Sequence, residues 1–134
     1  MNLFSGVNQI NFRVKEIDRA SKWYQEILGL AVKHDYGTTV VLAFDEHSTN
    51  PSTLVCLIEL AEGEDLSDNG ANGTHPVFAI SEEQAEQCRE QLISKGVNVL
   101  EGSKAHFKFT DPDGNLMEAY LPGLYEEKRF AHLR

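Results

Sequence analysis

The sequence predicts an α+β fold of two similar βαβββ modules, at about residues 5–61 and 73–122, followed by a C-terminal tail. In two segments, apolar and polar residues alternate as they do in a strand. Each of these segments leads into one whose apolar residues recur at helical spacing and which ends at a glycine. Three further strand-like segments follow each helix, and a polar, glycine-rich stretch separates the two sets. One helix grouped with four strands, twice over, is typical of the α+β class. We therefore expect residues 1–134 to form a single domain built by internal repetition.

The first module opens with a half-buried strand over residues 7–14. Its apolar and polar side chains alternate, with Ile10, Phe12 and Val14 on one face and Gln9, Asn11 and Arg13 on the other. Asp18 is a suitable N-cap for the following helix, and Gly29 ends that helix. Strands are then expected at about 31–36, 38–44 and 53–61.

The second module repeats this plan from residue 73. His75, Val77 and Ala79 alternate with Pro76, Phe78 and Ile80. Ser81 and Gln84 have the spacing of a capping box, and Gly96 ends the helix. Strands are expected at about 98–101, 105–110 and 115–121. The stretch 62–73 reads as the linker, and the tail after Pro122 as a short helix or an unstructured segment.

Composition excludes several classes of function. The chain has a formal net charge of −9, and an acidic protein repels the phosphate backbone, so no nucleic acid partner is expected. No apolar run approaches the roughly 20 residues that cross a bilayer, so no membrane association is expected. The N-terminus lacks the pattern of a signal peptide, and two cysteines do not make a disulfide framework. These features predict a cytoplasmic protein.

Four polar side chains at repeat-related positions point to a metal site. Gln9 and His75 each lie five residues before the last apolar residue of their strand, and Glu59 and Glu118 each lie within an apolar strand. A buried carboxylate is costly unless it is paired or bound to a metal. One imidazole, one amide oxygen and two carboxylates carry a charge of about −2, which balances a divalent cation such as zinc, nickel or cobalt. Taken alone, none of the four indicates a metal: Gln9 is more typical of a solvated strand residue, His75 of a hydrogen-bonded or exposed histidine, and either glutamate could face solvent.

Further side chains are candidates for binding the substrate. His106 shares a face with Lys104 and Lys108, opposite two phenylalanines, so this face either binds an anionic substrate through Lys104 and His106 or is simply solvated. Cys56 has the opposite parity to Glu59, which predicts a buried thiol without a chemical role.

Three motifs carry a family resemblance. The strand Gln9–Val14, the helix end at residues 23–30 and the turn Asp111–Asn115 before Glu118 resemble the vicinal oxygen chelate superfamily. That superfamily includes glyoxalase I, extradiol dioxygenases, fosfomycin-resistance thiol transferases and bleomycin-binding proteins. The resemblance extends to about Pro122. It implies a glyoxalase-like fold whose sheets curve around a cup, and a homodimer.

The resemblance also implies roles for individual residues. The family's metal positions fall on Gln9, Glu59, His75 and Glu118, an order similar to that of glyoxalase I from higher organisms. Arg13 matches the glyoxalase I position that binds the glutathione carboxylate. Gly63 stands where glyoxalase I usually has an asparagine that binds glutathione, so the identity of the thiol stays open.

The function implied is that of a metal-dependent lyase or isomerase of the glyoxalase I type. The metal polarises a small substrate with vicinal oxygens and stabilises its enediolate, with Glu118 as general base and Glu59 returning the proton. The alternative is a metal-free protein that binds a small molecule or an antibiotic, as bleomycin-resistance proteins do. Extradiol dioxygenases and fosfomycin-type transferases usually have histidine where Gln9 stands, which makes both less favoured.

Overall fold

The computed structural model describes Leu3 and residues 7–44, 53–65 and 74–134. The chain separates into two compact units, Met1–Leu66 and Ser67–Arg134, called module 1 and module 2 below. The predicted linker lies largely outside the described residues. Within the described ranges, no helix is long and apolar enough to cross a membrane.

Module 1 has the predicted βαβββ order. Its elements are β1 (Gln9–Val14), α1 (Ile17–Leu28), β2 (Ala31–Asp35), β3 (Thr39–Ala43) and β4 (Leu54–Glu59). The four strands form one mixed sheet in the order β1-β4-β3-β2, in which β1 runs parallel to β4. The strand positions predicted from alternation are confirmed.

Module 2 repeats this topology. Its elements are β5 (Val77–Ala79), a 3-10 turn (Glu82–Gln84), α2 (Cys88–Ser94), β6 (Asn98–Gly102), β7 (His106–Thr110), β8 (Leu116–Tyr120) and a 3-10 helix (Lys128–Leu133). The strand order β5-β8-β7-β6, with β5 parallel to β8, matches that of module 1. The predicted second helix is divided into the 3-10 turn and a shorter α2, and Ser81 makes no side-chain cap there.

One face of each sheet forms the core of its module. In module 1 the alternate residues Phe12, Val14 and Leu57 are buried on the side where α1 contributes Tyr24. The Phe12 and Tyr24 rings lie 5.6 Å apart. Full burial of each such side chain stabilises the fold by about 1.5–3 kcal/mol. In module 2 the corresponding buried side chains are Phe107, Phe109, Met117 and Ala119.

The alternation of β7 and β8 leaves a second, half-exposed face on module 2. His106 and Lys108 of β7 lie beside Tyr120 and Glu118 of β8 on this face. The C-terminal tail is structured: Leu124, Phe130 and Leu133 are all buried.

Candidate active site

A tight turn sets the position of Glu118. The carboxylate of Asp111 accepts hydrogen bonds from the backbone N–H groups of Asp113 at 2.9 Å and Asn115 at 2.8 Å. Gly114 has φ 87°, in the left-handed region that favours glycine. The turn therefore fixes where β8 begins, and alternation along β8 then directs Glu118 away from the core. The predicted role of this segment as a turn is confirmed.

The Glu118 carboxylate binds two histidines. His75 Nε2 lies 2.7 Å from Oε1, and His106 Nε2 lies 2.8 Å from Oε2. The Glu118 side chain is only 16% exposed. The hydrogen bonds from His75 and then His106 hold the pKa of Glu118 below its ordinary value. Glu118 is therefore an anion at neutral pH, which suits an electrostatic or ligand role better than that of a strong base.

These contacts determine the hydrogen-bonding roles of the two rings. An ionised carboxylate only accepts hydrogen bonds, so Nε2 of each ring carries a hydrogen. Nδ1 of His106 lies within hydrogen-bond distance of the Tyr125 hydroxyl, 2.7 Å away. Nδ1 of His75 is buried and has no hydrogen-bond partner among the described residues. The two rings bind the same carboxylate, but only one of them is held at both nitrogens.

A pocket of about 270 Å³ lies beside this cluster. His106 and Glu118 line it, together with the cationic side chains of Lys108 and Arg134 and the carboxylate of Glu101. Lys104, predicted to bind substrate, is not among the lining residues and instead lies 3.7 Å from the Glu86 carboxylate. The cationic side chains at the pocket are thus Lys108, which the sequence placed on this face, and Arg134, and the carboxylates of Glu101 and Glu118 offset their charge.

The structure corrects the expectation that Gln9 and Glu59 face the same way. In the parallel pair of β1 and β4, Gln9 lies beside Leu54 and Val14 lies beside Glu59. Laterally paired residues point to the same side of a sheet, so Gln9 and Glu59 point to opposite sides. The Glu59 carboxylate accepts a 2.8 Å hydrogen bond from the backbone N–H of Ile17, the first residue of α1. It therefore stabilises a helix N-terminus.

The register also identifies the true repeat counterpart of Glu118. The residue two positions after Gln9 pairs with Cys56, and the residue two positions after His75 pairs with Glu118. Cys56, and not Glu59, therefore corresponds to Glu118. Cys56 is buried, and burial raises the pKa of its thiol. This agrees with the predicted inert thiol.

The other two candidates of module 1 have local partners. Gln9 donates to Asn11 Oδ1 at 2.8 Å and accepts from Asn8 Nδ2 at 3.0 Å. Arg13, predicted to bind a substrate carboxylate, forms two 2.6 Å hydrogen bonds with the carboxylate of Glu64. A substrate carboxylate would have to compete with Glu64 for this guanidinium.

The fit of a divalent metal rests on the donor set. His75 and Glu118, two of the four predicted ligands, lie in contact in module 2. An imidazole nitrogen and a carboxylate oxygen suit zinc, manganese or similar ions. Among the described residues, no group of three or more His, Cys, Asp or Glu side chains is arranged to hold a metal ion. The pair fits as part of a ligand set, and the participation of Gln9 stays a prediction.

Comparison with known families settles the relationship of the chain. Residues 6–119 match the model of the Glyoxalase/Bleomycin resistance protein/Dioxygenase superfamily. The chain belongs to this superfamily. The family resemblance and the glyoxalase-like α+β fold predicted from the sequence are both confirmed. Superfamily membership alone does not identify the reaction.

Similar members of the superfamily include thiol transferases. The chain is 25% identical over 125 residues to the glutathione transferase FosA of Serratia marcescens, covering 91% of the chain and 84% of the relative. It is 27% identical over 137 residues to the metallothiol transferase FosB of Shouchella clausii, covering 97% and 88%. Both relationships extend over nearly the whole chain.

Solved structures of the superfamily show the same fold. The trypanothione-dependent glyoxalase I of Leishmania major matches with TM-score 0.74 and 20% identity over 96% of this chain and 94% of that one. The fosfomycin resistance protein FosX of Listeria monocytogenes matches with TM-score 0.68 and 22% identity over 92% and 97%.

Sequence reasoning missed two residues of the site, Tyr125 and Arg134, because both lie in the tail. The signal available was the set of apolar residues there, Leu124, Phe130 and Leu133, which predicts packing against the preceding module. When these apolar residues pack against module 2, the polar residues next to them in the tail, Tyr125 and Arg134, are brought to the pocket.

Proposed function

We propose that this chain is a metal-dependent enzyme that acts on a small anionic substrate at the half-exposed face of module 2. The observation that carries the proposal is the contact of His75 and Glu118, at 2.7 Å, beside a pocket whose lining includes Lys108 and Arg134. Both residues were predicted as metal ligands from the sequence.

In the proposed site, His75 would give up the Nε2 hydrogen that it donates to Glu118, and these two residues would hold the ion. Gln9 remains the further ligand predicted from the sequence. The bound ion would supply Lewis-acid activation of a substrate oxygen. His106 binds the second oxygen of Glu118 and so fixes the plane of its carboxylate. Glu59 is left out of the site because its carboxylate binds the N-terminus of α1.

The substrate class follows from the pocket. Lys108 and Arg134 place two positive charges, and Glu101 and Glu118 two negative ones, around a space of about 270 Å³, which accommodates a small molecule. Lys108 has no hydrogen bond or ion pair within the described part of the chain and is available to an anion. An acidic group on the substrate, such as a carboxylate or a phosphonate, meets this charge.

Two reactions are compatible with such a site. Isomerisation of the glyoxalase I type, predicted from the ligand pattern, requires one group to remove a proton from the substrate and a group to deliver a proton to the intermediate. Glu59 was predicted to deliver that proton, but its carboxylate instead binds the N-terminus of α1. Addition of a thiol to an electrophilic substrate needs no second carboxylate. In that reaction the sulfur–carbon bond forms as a carbon–oxygen bond breaks, and the released oxygen takes the proton given up by the thiol. We therefore propose thiol transfer, which also agrees with the names of the FosA and FosB relatives.

The test begins with metal binding. Protein purified without chelator is titrated calorimetrically with zinc, manganese, nickel and cobalt, alongside His75→Ala and a control, His34→Ala. His34 lies exposed in β2 of module 1 and hydrogen-bonds to none of the site residues. We expect stoichiometric binding to the wild type and to His34→Ala, and a loss of binding in His75→Ala.

The loaded protein is then assayed with two substrate pairs. One pair is fosfomycin with glutathione or cysteine, and the other is methylglyoxal with glutathione. Turnover of the first pair alone supports thiol transfer, whereas turnover of the second alone returns the assignment to glyoxalase-type isomerisation. A wild type that binds none of the four metals contradicts the proposal, and a metal-free binding protein becomes the better account. The predicted homodimer is measured by sedimentation on the same samples.

A further inference from the structure

A β-bulge in strand β6 lies beside the pocket of module 2. The pairing of β6 with β7 is regular up to Val99 and resumes at Gly102. Between these points two residues of β6, Leu100 and Glu101, lie opposite a single residue of β7, Lys108. A bulge of this kind changes the direction of a side chain, and bulges are common next to active sites.

The bulge brings Glu101 to the half-exposed face of the sheet. Without it, alternation would place Glu101 opposite Phe107 on the core face, where burial of an unpaired carboxylate is costly. Gly102 occupies that position instead, and a Cβ added to it would lie 2.5 Å from the Phe107 Cα. The core position is thus filled by a residue without a side chain, and Glu101 lines the pocket together with Lys108.

The opposite charges of Glu101 and Lys108 do not neutralise each other. Within the described part of the chain, neither side chain takes part in an ion pair or a hydrogen bond, although both line the same pocket. By contrast, Lys104, which lies outside the pocket, is 3.7 Å from the Glu86 carboxylate. Two unpaired groups of opposite charge around a space of about 270 Å³ match a small molecule that carries both charges.

Arg134 provides a second cationic group at the pocket, and its orientation is fixed. Its guanidinium donates to the backbone carbonyls of Leu124 at 2.8 Å and Glu127 at 3.1 Å. These carbonyl groups are neutral, and no carboxylate of the described residues pairs with Arg134, so its positive charge is not cancelled. The pocket therefore offers one anionic and two cationic groups to its ligands, apart from Glu118, whose carboxylate already binds two histidines.

We propose that the pocket of module 2 binds the head group of an amino acid thiol, with Glu101 facing its ammonium and Lys108 facing its carboxylate. Arg134 then faces the acidic group of the electrophilic substrate. The inference rests on the proposed function, because that function joins a thiol to an acidic electrophile. Cysteine has such a head group beside its sulfur, and glutathione carries the same head group farther from its sulfur.

The first experiment measures binding of three thiols of matched shape to the metal-free protein. Cysteine carries both charges, 3-mercaptopropionate lacks the ammonium, and cysteamine lacks the carboxylate. Binding is followed by chemical-shift changes in ¹H–¹⁵N NMR spectra, in oxygen-free buffer. We expect cysteine to bind about tenfold more tightly than either analogue, which is the lower end of the effect of a hydrogen bond to a charged group.

Two substitutions then assign each charge of the ligand to its partner. In Glu101→Gln, cysteine and 3-mercaptopropionate should bind within about twofold of each other, because glutamine has no charge to offer the ammonium. In Lys108→Gln, the same should hold for cysteine and cysteamine. Glu90→Gln and Lys95→Gln are the matched controls, at exposed positions outside the pocket, and should keep the preferences of the wild type. Thermal unfolding verifies that all four variants are folded.

The outcomes separate this inference from the proposed function. Absence of cysteine and glutathione binding, equal binding of cysteine and its analogues, or a preference that survives both pocket substitutions would overturn the inference. Glutathione binding that is tighter than that of cysteine and depends equally on Glu101 and Lys108 identifies glutathione as the source of the head group. If cysteine shows the expected preferences but the protein binds no metal and transfers no thiol, the pocket assignment holds and the proposed function fails.

Discussion

Cys56 in module 1 and Glu118 in module 2 occupy corresponding positions in sheets of the same strand order. In module 1 this position is a buried thiol with a raised pKa, whereas in module 2 it is a carboxylate bound to two imidazoles, with a lowered pKa. The neighbouring strands differ too, because Val41 lies beside Cys56 and Lys108 lies beside Glu118.

The difference teaches that repetition of the backbone does not repeat the chemistry. Both modules satisfy the same pattern of sheet hydrogen bonds, and each buries one apolar face. The second face has no such requirement, because its side chains need only remain compatible with water or with a partner. Among the described residues, a carboxylate bound to two imidazoles lies on that face in module 2, whereas in module 1 the face carries the Arg13–Glu64 ion pair. The next three substitutions test this contrast, from the largest expected effect to the smallest.

Glu118→Ala should have the largest effect. Loss of the carboxylate removes a proposed ligand and the partner of two histidines, so we expect metal affinity and turnover to fall by about 100-fold or more, beyond the typical effect of an outer residue. Cys56→Ala, at the corresponding position of module 1, should retain both. Calorimetry and the thiol-transfer assay measure the two variants side by side. If metal affinity and turnover fell equally in both variants, the thiol of module 1 would be as important for them as the carboxylate of module 2, and the contrast would be wrong.

Gly102→Ala should destabilise the fold near the pocket. Gly102 has φ 147°, and a Cβ there would lie 2.5 Å from the Cα of Phe107. We expect the free energy of unfolding to fall by about 1–3 kcal/mol, as in other overpacked sites. Gly37, between β2 and β3 of module 1, also has a positive φ, but a Cβ added there would have no atom within 4 Å. Gly37→Ala should therefore lower the free energy of unfolding only by the backbone strain, about 1–2 kcal/mol. Urea denaturation of the two variants, Gly102→Ala and Gly37→Ala, compares these losses. A larger loss at Gly37 would contradict the steric argument.

Glu59→Ala should have the smallest effect and the most selective one. It removes the acceptor for the first N–H of α1, so we expect a loss of about 1 kcal/mol in the free energy of unfolding. Metal affinity should not change. The measurement is urea denaturation with calorimetric titration of the same sample. A loss of metal binding in this folded variant would instead restore Glu59 to the ligand set predicted from the sequence.

Much of the fold was predictable because its signals are local. The alternation of apolar residues in β1, β7 and β8 showed which side chains form the core, and the Asp111–Asn115 turn follows from its own side-chain hydrogen bonds. The internal repeat then provided a second, independent indication of the order of elements. These patterns depend only on residues close together in the chain.

The site was predictable only in part. His75 and Glu118 were identified correctly as neighbours, because His75 lies just before one of two paired strands and Glu118 lies within the other. Lys104 was predicted to bind substrate, although parity places Lys108 on the same face and does not distinguish the two lysines. The ion pair of Lys104 with Glu86 depends on how the segment before β7 meets the second helical region.

By itself, the sequence determined the two modules, their buried faces and the candidates His75 and Glu118. Only the tertiary structure decided the partners of Glu59 and Tyr125. The register between β1 and β4 turned Glu59 towards α1, and a shift of one residue would have reversed its face. The packing of the tail brought Tyr125 to His106, which lies 19 residues earlier in the chain. Both outcomes depend on contacts between distant segments, and local periodicity carries no information about such contacts.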